Sequence, residues 1–286
     1  MPSEHVWEKT AGYCSMGKTR MIGMKEKKLE PVVLYEDADI VAVNKPAGLV
    51  VHADGRGQGE TLTDWVLAHY PETKHVGEPG RTQKGEEILR PGIVNRLDRE
   101  TSGVMLVAKT AHGFETLKSQ FQSHEIKKEY HAFVYGEMKG NMKNGVEKMH
   151  GVIDRPIGRS ASDFRKWSAQ RGSKGERREA VTEYDIISQG EVRSGASVEK
   201  YTFVHAYPLT GRTHQIRVHF KAVSHPLVAD SLYAPKHSNM LGFERLALHS
   251  YRVTFTNCVG ETKTVEAPYP ADFDRAQSLF SSRLQK

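Results

Sequence analysis

Among the residues that could carry out chemistry, one aspartate has the most informative surroundings. Asp98 follows Leu97, precedes the turn-forming run Thr101–Gly103, and stands shortly before the apolar segment Val104–Ala108. A carboxylate held against a buried strand can act as a nucleophile or stabilise positive charge on a sugar. Asp followed by Thr, Ser and Gly is also ordinary turn chemistry. The spacing by itself leaves catalysis and turn formation as alternatives.

A second pattern near the N-terminus suggests phosphate binding. Gly12–Thr19 matches G-x-x-x-x-G-K-[ST] at every position. That chemistry needs a glycine-rich turn between a buried strand and a helix, so that backbone N–H groups surround the phosphate. Only Val6 and Trp7 add apolar character before the turn, and Gly23 and Pro31 interrupt the segment after it. Nucleotide binding at Gly12–Thr19 is therefore a minor alternative.

The positive charge of the chain is concentrated in one segment. The 286 residues include 41 Lys and Arg against 35 Asp and Glu, a formal net charge of +6. The stretch Arg155–Arg178 has two acidic residues and eight basic ones, namely Arg155, Arg159, Arg165, Lys166, Arg171, Lys174, Arg177 and Arg178. Phe164 and Trp167 lie among these cations, and such a mixture can contact phosphates and stack on bases. A solvated charged loop is the other interpretation of this run.

The composition excludes several classes of protein. Hydrophobic residues make up 38% and charged residues 27%, as in globular rather than disordered chains. The longest stretch without Asp, Glu, Lys or Arg, Tyr201–Gly211, is far shorter than the roughly 20 apolar residues of a membrane helix. Cys14 and Cys258 form no C-x-x-C pair, so neither a disulfide framework nor a cysteine-rich zinc site is predicted. We expect a cytoplasmic protein without a metal.

The sequence predicts many strands and few helices, and these elements must position the residues named above. Residues 1–30 are weakly patterned and are interpreted as an appendage to a single domain, 31–286. Periodicity predicts strands at Val32–Tyr35, Ile40–Asn44, Val104–Ala108, Glu129–Tyr135, Ala180–Ser188, Tyr201–Tyr207, Leu246–His249 and Val253–Asn257, and helices at Thr61–Tyr70, Ala111–Ser123, Thr213–Val223 and Ala271–Leu284. Their irregular order along the chain predicts an α+β fold.

Several blocks of the sequence together resemble one enzyme family. Arg96–Gly103 is similar to the signature of the RluA-type pseudouridine synthases, H-R-L-D-x-x-[ST]-[ST]-G, whose aspartate is catalytic. Further blocks resemble the family in the expected order: Asn44–His52, Lys128–Gly136, Ile157–Arg159, Ala180–Thr182, Gly211–His219 and Leu246–His249. The likeness extends from about Leu34 to Pro270, and Asn95 stands where the family usually has histidine.

The resemblance implies a role for each matching residue. Asp98 would be the nucleophile or sugar-stabilising anion, and Arg217, otherwise a solvated helix charge, would keep it ionised. Tyr130 would stack on the target base and serve as a general base at the sugar. Leu248 would form an apolar wall, and Arg96 would fill the gap left by the flipped nucleotide.

The resemblance also implies the fold, the partner and the absence of cofactors. It implies a mixed, largely antiparallel central sheet flanked by helices and loops, and a monomer that isomerises specific uridines in ribosomal or transfer RNA without a metal or cofactor. Too few residues precede Leu34 for the N-terminal S4 domain that many members carry. Arg165, Lys166 and Arg171 would then contact the RNA backbone. A non-catalytic RNA-binding protein on the same fold is the alternative.

Overall fold

The computed structural model describes residues 29–53, 59–81, 85, 87–143, 146–170 and 173–281. The candidate phosphate loop Gly12–Thr19 and the basic residue Arg171 lie outside these ranges. No helix within the described ranges is long and apolar enough to cross a membrane.

Strands dominate the described residues. The strands are β1 Val32–Glu36, β2 Ile40–Lys45, β3 Gly80–Arg81, β4 Glu87–Ile88, β5 Ser102–Ala108, β6 Lys127–Tyr135, β7 Asn141–Lys143, β8 Val146–Lys148, β9 His150–Asp154, β10 Ile157–Arg159, β11 Trp167–Ser168, β12 Lys174–Arg178, β13 Val181–Ser194, β14 Ser197–Pro208, β15 Leu248–Thr256 and β16 Thr262–Glu266. The helices are α1 Leu62–His69, α2 Ala111–Gln122, α3 Gln215–Ala222 and α4 Ala271–Ser281, and a 3-10 turn spans Pro71–His75.

One large sheet forms the centre of the protein. Its strand order is β1-β2-β5-β15-β6-β14-β13-β9, with β16 paired to β15. β5 and β15 run parallel, and the other pairs are antiparallel. The predicted α+β class with a mixed, largely antiparallel sheet is therefore confirmed.

The predicted elements differ from the structure in several places, and β9 and β16 are among the strands that were not predicted. Leu246–His249 and Val253–Asn257 were expected to be separate strands, but β15 runs through both because its pairing with β6 continues past an irregularity between Ser250 and Arg252. The basic stretch is not a simple loop. Strands β11, β10 and β12 pair into a small sheet, which we call the basic sheet.

The loop that carries Asp98 is fixed at both ends. Thr101 donates its backbone N–H to the Asp98 carbonyl at 3.1 Å, and the Arg99 carbonyl accepts from the N–H of Gly48 at 2.8 Å. Lys45 is fully buried, and its Nζ donates to the carbonyls of Arg99, Pro46 and Leu49 at 2.9–3.1 Å. Three carbonyl acceptors around one ammonium tie β2 to the loop.

A glycine allows this loop to enter the sheet. Gly103 has a φ of +112°, and a Cβ at this position would lie 2.1 Å from the Ser250 carbonyl oxygen on β15. β5 can therefore approach β15 only because residue 103 has no side chain. This contact gives a physical reason for the glycine that ends the Arg96–Gly103 block.

Helix α3 is held between the large sheet and the basic sheet. Ile216 and Phe220 pack into the core with Ala132 and Val134 of β6. Its other side meets the base of the basic sheet in a small apolar cluster: Ile157, Ala169, Ala180, Val218 and Tyr233. The helix that carries Arg217 is thus packed on both sides.

Candidate active site

The predicted catalytic and pocket residues meet in one cleft. Asp98, Tyr130, Arg217, Arg96 and Leu248 all line a cavity of about 740 Å³. They come from four separate segments: the loop before β5, strand β6, helix α3 and the start of β15. The fold therefore brings together residues up to 152 positions apart, Arg96 and Leu248.

Asp98 is paired with a buried arginine. The Oδ2 atom of Asp98 accepts from Nη1 of Arg217 at 2.8 Å. The same guanidinium donates from Nε and Nη2 to both carboxylate oxygens of Asp230, at 2.8 and 2.9 Å. Asp230 is fully buried. One cation thus lies between two carboxylates and is fixed by three charge-assisted hydrogen bonds.

The electrostatic surroundings keep Asp98 ionised. Burial tends to raise the pKa of the Asp98 carboxyl, but the charge of His214, which takes up a proton at low pH, and the guanidinium of Arg217 outweigh it and hold the pKa below its ordinary value. About a fifth of the side chain remains exposed to the cleft. Asp98 is therefore a charged carboxylate that a bound substrate can reach.

Arg217 is not the solvated helix charge that the sequence alone suggested. It is 8% exposed, and its guanidinium lies 5.0 Å from the ring centre of Tyr233. A buried cation that pairs with one carboxylate at the edge of a cleft is held better by a second anion, because its desolvation is costly. The desolvation of Arg217 therefore favours a further acidic residue nearby. Asp230 is that residue, and the sequence analysis did not identify it.

His214 is a second site residue that the sequence analysis did not identify. Its Nε2 lies 3.8 Å from Oδ1 of Asp98, and its Nδ1 is 3.0 Å from the Tyr233 hydroxyl. Burial lowers the pKa of His214 despite the nearby Asp98, which raises it. By contrast His219 has a structural role: it bonds the Thr182 hydroxyl and the Arg155 carbonyl.

Tyr130 presents a neutral phenol to the cleft. It lies on the same face of β6 as Ala132 and Val134 and packs against the core there. Burial raises the pKa of the Tyr130 phenol to about 12, and a hydrogen bond with Ser250 opposes this only in part. The hydroxyl is therefore protonated at neutral pH, so in this state it can donate a proton but not accept one as a phenolate.

Four further groups complete the walls of the cleft. Leu248 is buried and gives an apolar surface, whereas Arg96 is exposed at the mouth. The buried Oδ1 of Asn95 and Oγ1 of Thr101 have no hydrogen-bond partner among the described residues. Both residues line the cleft, so these oxygens are free to accept or, for Thr101, also to donate.

The basic sheet lies beside the cleft rather than in its wall. Arg165 and Lys166 are absent from the lining. Both approach Asp163: Arg165 through Nη2 at 2.9 Å and Lys166 at 3.7 Å. Phe164 between them is 77% exposed. Arg165 and Lys166 are therefore partly neutralised by Asp163, next to an exposed ring.

One group of side chains on the opposite face of β6 has the composition of a metal site. The ligand atoms of Glu129, His131 and His205 lie within 4.8 Å of one another. The two imidazoles are stacked nearly parallel at 3.6 Å, and Glu129 accepts from His131 at 2.8 Å. A metal between parallel rings would lie out of both ring planes, where nitrogen lone pairs do not point. This cluster fits a hydrogen-bonded packing role better than a metal site.

Known proteins that resemble this chain point to one enzyme class. A family model described as RNA pseudouridylate synthase matches residues 39–222. An uncharacterized RNA pseudouridine synthase from Synechocystis is 35% identical over 88% of this chain and 69% of its own length. The ribosomal large subunit pseudouridine synthase D of Neisseria meningitidis serogroup B is 37% identical over 84% of this chain, which spans 58% of that relative.

Solved structures show the same fold. Human RNA pseudouridylate synthase domain containing 1 matches with a TM-score of 0.62 and 23% identity, over 85% of this chain and 84% of that one. Human RNA pseudouridylate synthase domain containing 4 matches with a TM-score of 0.60 and 22% identity, over 86% and 92% of the two chains. The resemblance found in the sequence is thus confirmed, and the chain belongs to the RNA pseudouridylate synthase family.

Proposed function

We propose that this protein isomerises uridine to pseudouridine in large-subunit ribosomal RNA, with Asp98 as the catalytic residue. The observation that carries the proposal is the ionised Asp98 carboxylate, bonded to buried Arg217 at the edge of a cleft with an aromatic and an apolar wall. The choice of ribosomal RNA is supported by the name of the Neisseria relative. Transfer RNA is the alternative substrate.

The reaction makes limited chemical demands. The bond between C1′ of the ribose and N1 of uracil breaks, and a bond between C1′ and C5 forms. A proton leaves C5, and N1 ends with a proton, so atoms and charge balance without an oxidant or a hydrolytic water. The enzyme must stabilise or trap the electron-poor C1′, hold the detached base, and move protons.

Asp98 has the properties needed at the sugar. Its carboxylate stays negative beside Arg217, so it can attack C1′ or stabilise positive charge there. One oxygen bonds Arg217 and the other faces His214 at 3.8 Å. The pair with Arg217 thus orients the group before substrate arrives.

The walls of the cleft suit a flipped base. The Tyr130 ring offers a stacking surface, and Leu248 closes the cavity with an apolar contact. The Tyr130 hydroxyl, neutral at pH 7, is assigned to proton transfer at the sugar or base. Arg96 at the mouth is assigned to the space that the flipped nucleotide leaves in the RNA.

The basic sheet is assigned to the RNA backbone. Arg165 and Lys166 lie beside an exposed Phe164, and Arg171 belongs to the same segment. Phosphates compete with Asp163 for both cations, so RNA binding should weaken with salt. We further propose that the protein acts in the cytoplasm as a monomer.

A mapping experiment tests this function. Large-subunit ribosomal RNA and bulk transfer RNA are incubated separately with the wild type and with Asp98→Ala. Pseudouridine is then mapped by carbodiimide-dependent stops of reverse transcription. We expect new stops at defined uridines of the ribosomal RNA with the wild type alone. Stops with both proteins or with neither would reject the proposal, and stops only in transfer RNA would reject the substrate.

A further inference from the structure

A buried tyrosine connects the basic sheet with the catalytic centre. Tyr233 is 7% exposed, and its hydroxyl accepts the backbone N–H of Trp167 at 3.0 Å. The same hydroxyl lies 3.0 Å from Nδ1 of His214. His214 in turn lies against Asp98, with 3.8 Å between Nε2 and Oδ1. Two hydrogen bonds and one electrostatic contact therefore separate strand β11 from the catalytic carboxylate.

The contacts of the Tyr233 hydroxyl determine which nitrogen of His214 carries hydrogen. A phenol has one proton to donate. The oxygen accepts from Trp167, and among the described residues the other partner at hydrogen-bond distance is Nδ1 of His214, so we assign Nδ1 as the acceptor of the phenol proton. The imidazole is neutral at pH 7, since burial lowers its pKa, so its own hydrogen lies on Nε2. The hydrogen is thus on the nitrogen that lies 3.8 Å from Oδ1 of Asp98.

The backbone at His214 is held in an unusual conformation. Its φ is +56° and its ψ is 22°, the left-handed region that residues with a side chain seldom adopt. His214 precedes helix α3 without capping it through a side-chain hydrogen bond. Strain of this kind persists when surrounding contacts fix it, and it concentrates at functional sites. Here the fixing contacts are those to Tyr233 and Asp98.

The strand on the other side of Tyr233 belongs firmly to the basic sheet. Trp167 pairs with Arg159, whose guanidinium lies 4.2 Å from the centre of the Trp167 ring. Arg159 also donates to the Phe164 carbonyl at 3.3 Å. A displacement of the exposed tip at Phe164 is therefore transmitted to Trp167, the residue that bonds Tyr233.

We propose that Tyr233 is a positioning residue that couples RNA binding on the basic sheet to the orientation of His214 and Asp98. The inference rests on the proposed function, because it concerns how the same site is set for catalysis. Tyr233 need not touch the substrate. RNA bound to the basic sheet fixes the position of Trp167. Through the Tyr233 hydroxyl, Trp167 then fixes the orientation of His214. The Nε2–H of His214 in turn orients Oδ1 of Asp98, the oxygen that does not bond Arg217.

Removal of one oxygen atom tests the coupling. Tyr233→Phe keeps the ring beside Arg217 but deletes the hydroxyl that joins Trp167 to His214. We expect the single-turnover rate on ribosomal RNA to fall about tenfold or more, while the dissociation constant for RNA stays within about twofold. Tyr184→Phe is the matched control, because Tyr184 is also buried but is not part of the cleft lining. An unchanged rate in Tyr233→Phe would overturn the proposal.

A double-variant cycle separates coupling from a local structural role. Arg165→Gln combined with Lys166→Gln is made with and without Tyr233→Phe, and single-turnover rates at saturating RNA are compared. If the basic sheet acts through Tyr233, the rate losses are less than additive, whereas independent roles give additive losses and overturn the proposal. If Tyr233→Phe does not fold, His214→Gln enters the same cycle. Failure of the wild type to form pseudouridine would instead reject the proposed function.

Discussion

Replacement of Arg217 by lysine tests how Asp98 is kept in its charged state. The guanidinium makes three charge-assisted hydrogen bonds, two to Asp230 and one to Asp98. A lysine ammonium is a single point charge and cannot bond both carboxylates in this geometry. At least two of the three bonds are lost, each contributing about 1.5–3 kcal/mol. We therefore expect the free energy of unfolding to drop by at least about 3 kcal/mol.

The pH dependence gives a second measure of the same change. In the wild type the pKa of Asp98 is lowered, so its stabilising contribution is present above the pKa of an unfolded aspartate, about 3.9, and disappears as the pH falls through the folded value. If the lysine pairs with Asp230, burial of Asp98 is no longer offset by a hydrogen-bonded cation. The pKa of Asp98 then rises, and the acid limb of the rate profile moves to higher pH.

Thermal unfolding and single-turnover kinetics measure both effects. A loss of about 3 kcal/mol corresponds to a fall in Tm of roughly 6–12 °C for a chain of this size. Lys221→Arg is the control, because residue 221 is exposed on the same helix. A lysine variant with the Tm and the acid limb of the wild type would refute the role given to Arg217.

Three further substitutions test other parts of the account. Gly103→Ala should destabilise the protein by several kcal/mol in urea unfolding, since its Cβ would meet the Ser250 carbonyl at 2.1 Å with φ at +112°; a neutral effect would contradict the close approach of β5 and β15. Lys45→Met should lower unfolding free energy by roughly 2–4 kcal/mol, because three carbonyls lose their hydrogen bond to the buried Lys45 side chain; a more stable variant would disprove this. Tyr130→Phe should retain RNA affinity in filter binding but lower turnover on the order of 10²-fold, because the hydroxyl that transfers protons is lost. Turnover equal to that of the wild type would contradict a role for the hydroxyl.

The positions of several strands followed from local sequence, whereas the catalytic role predicted for Asp98 came from the resemblance to a family. Alternation in β6 placed Tyr130 on the correct face, and the apolar run after Gly103 marked β5, because both patterns depend on residues close together in the chain. The resemblance to a family, rather than periodicity, directed attention to Arg217.

The contacts that span the fold could not be predicted in the same way. Asp230 lies 13 positions after Arg217 in a segment without periodicity, and only the folded chain shows that it balances the buried guanidinium. His214 was not identified either, since its left-handed backbone and its proximity to Asp98 arise from tertiary packing. No strands were predicted in the basic stretch, because its closely spaced charges interrupt the apolar alternation that would indicate β10, β11 and β12.

Release of the C5 hydrogen measures the role of Asp98 most directly. RNA transcribed with uridine tritiated at C5 loses its label to water when the base is rejoined through C5. We predict that the wild type releases one tritium per target uridine. We also predict that Asp98→Asn, which keeps the size but not the charge, binds the RNA within about threefold and is slower by at least about 10³-fold. Tritium release by Asp98→Asn at a rate close to that of the wild type would contradict the catalytic assignment.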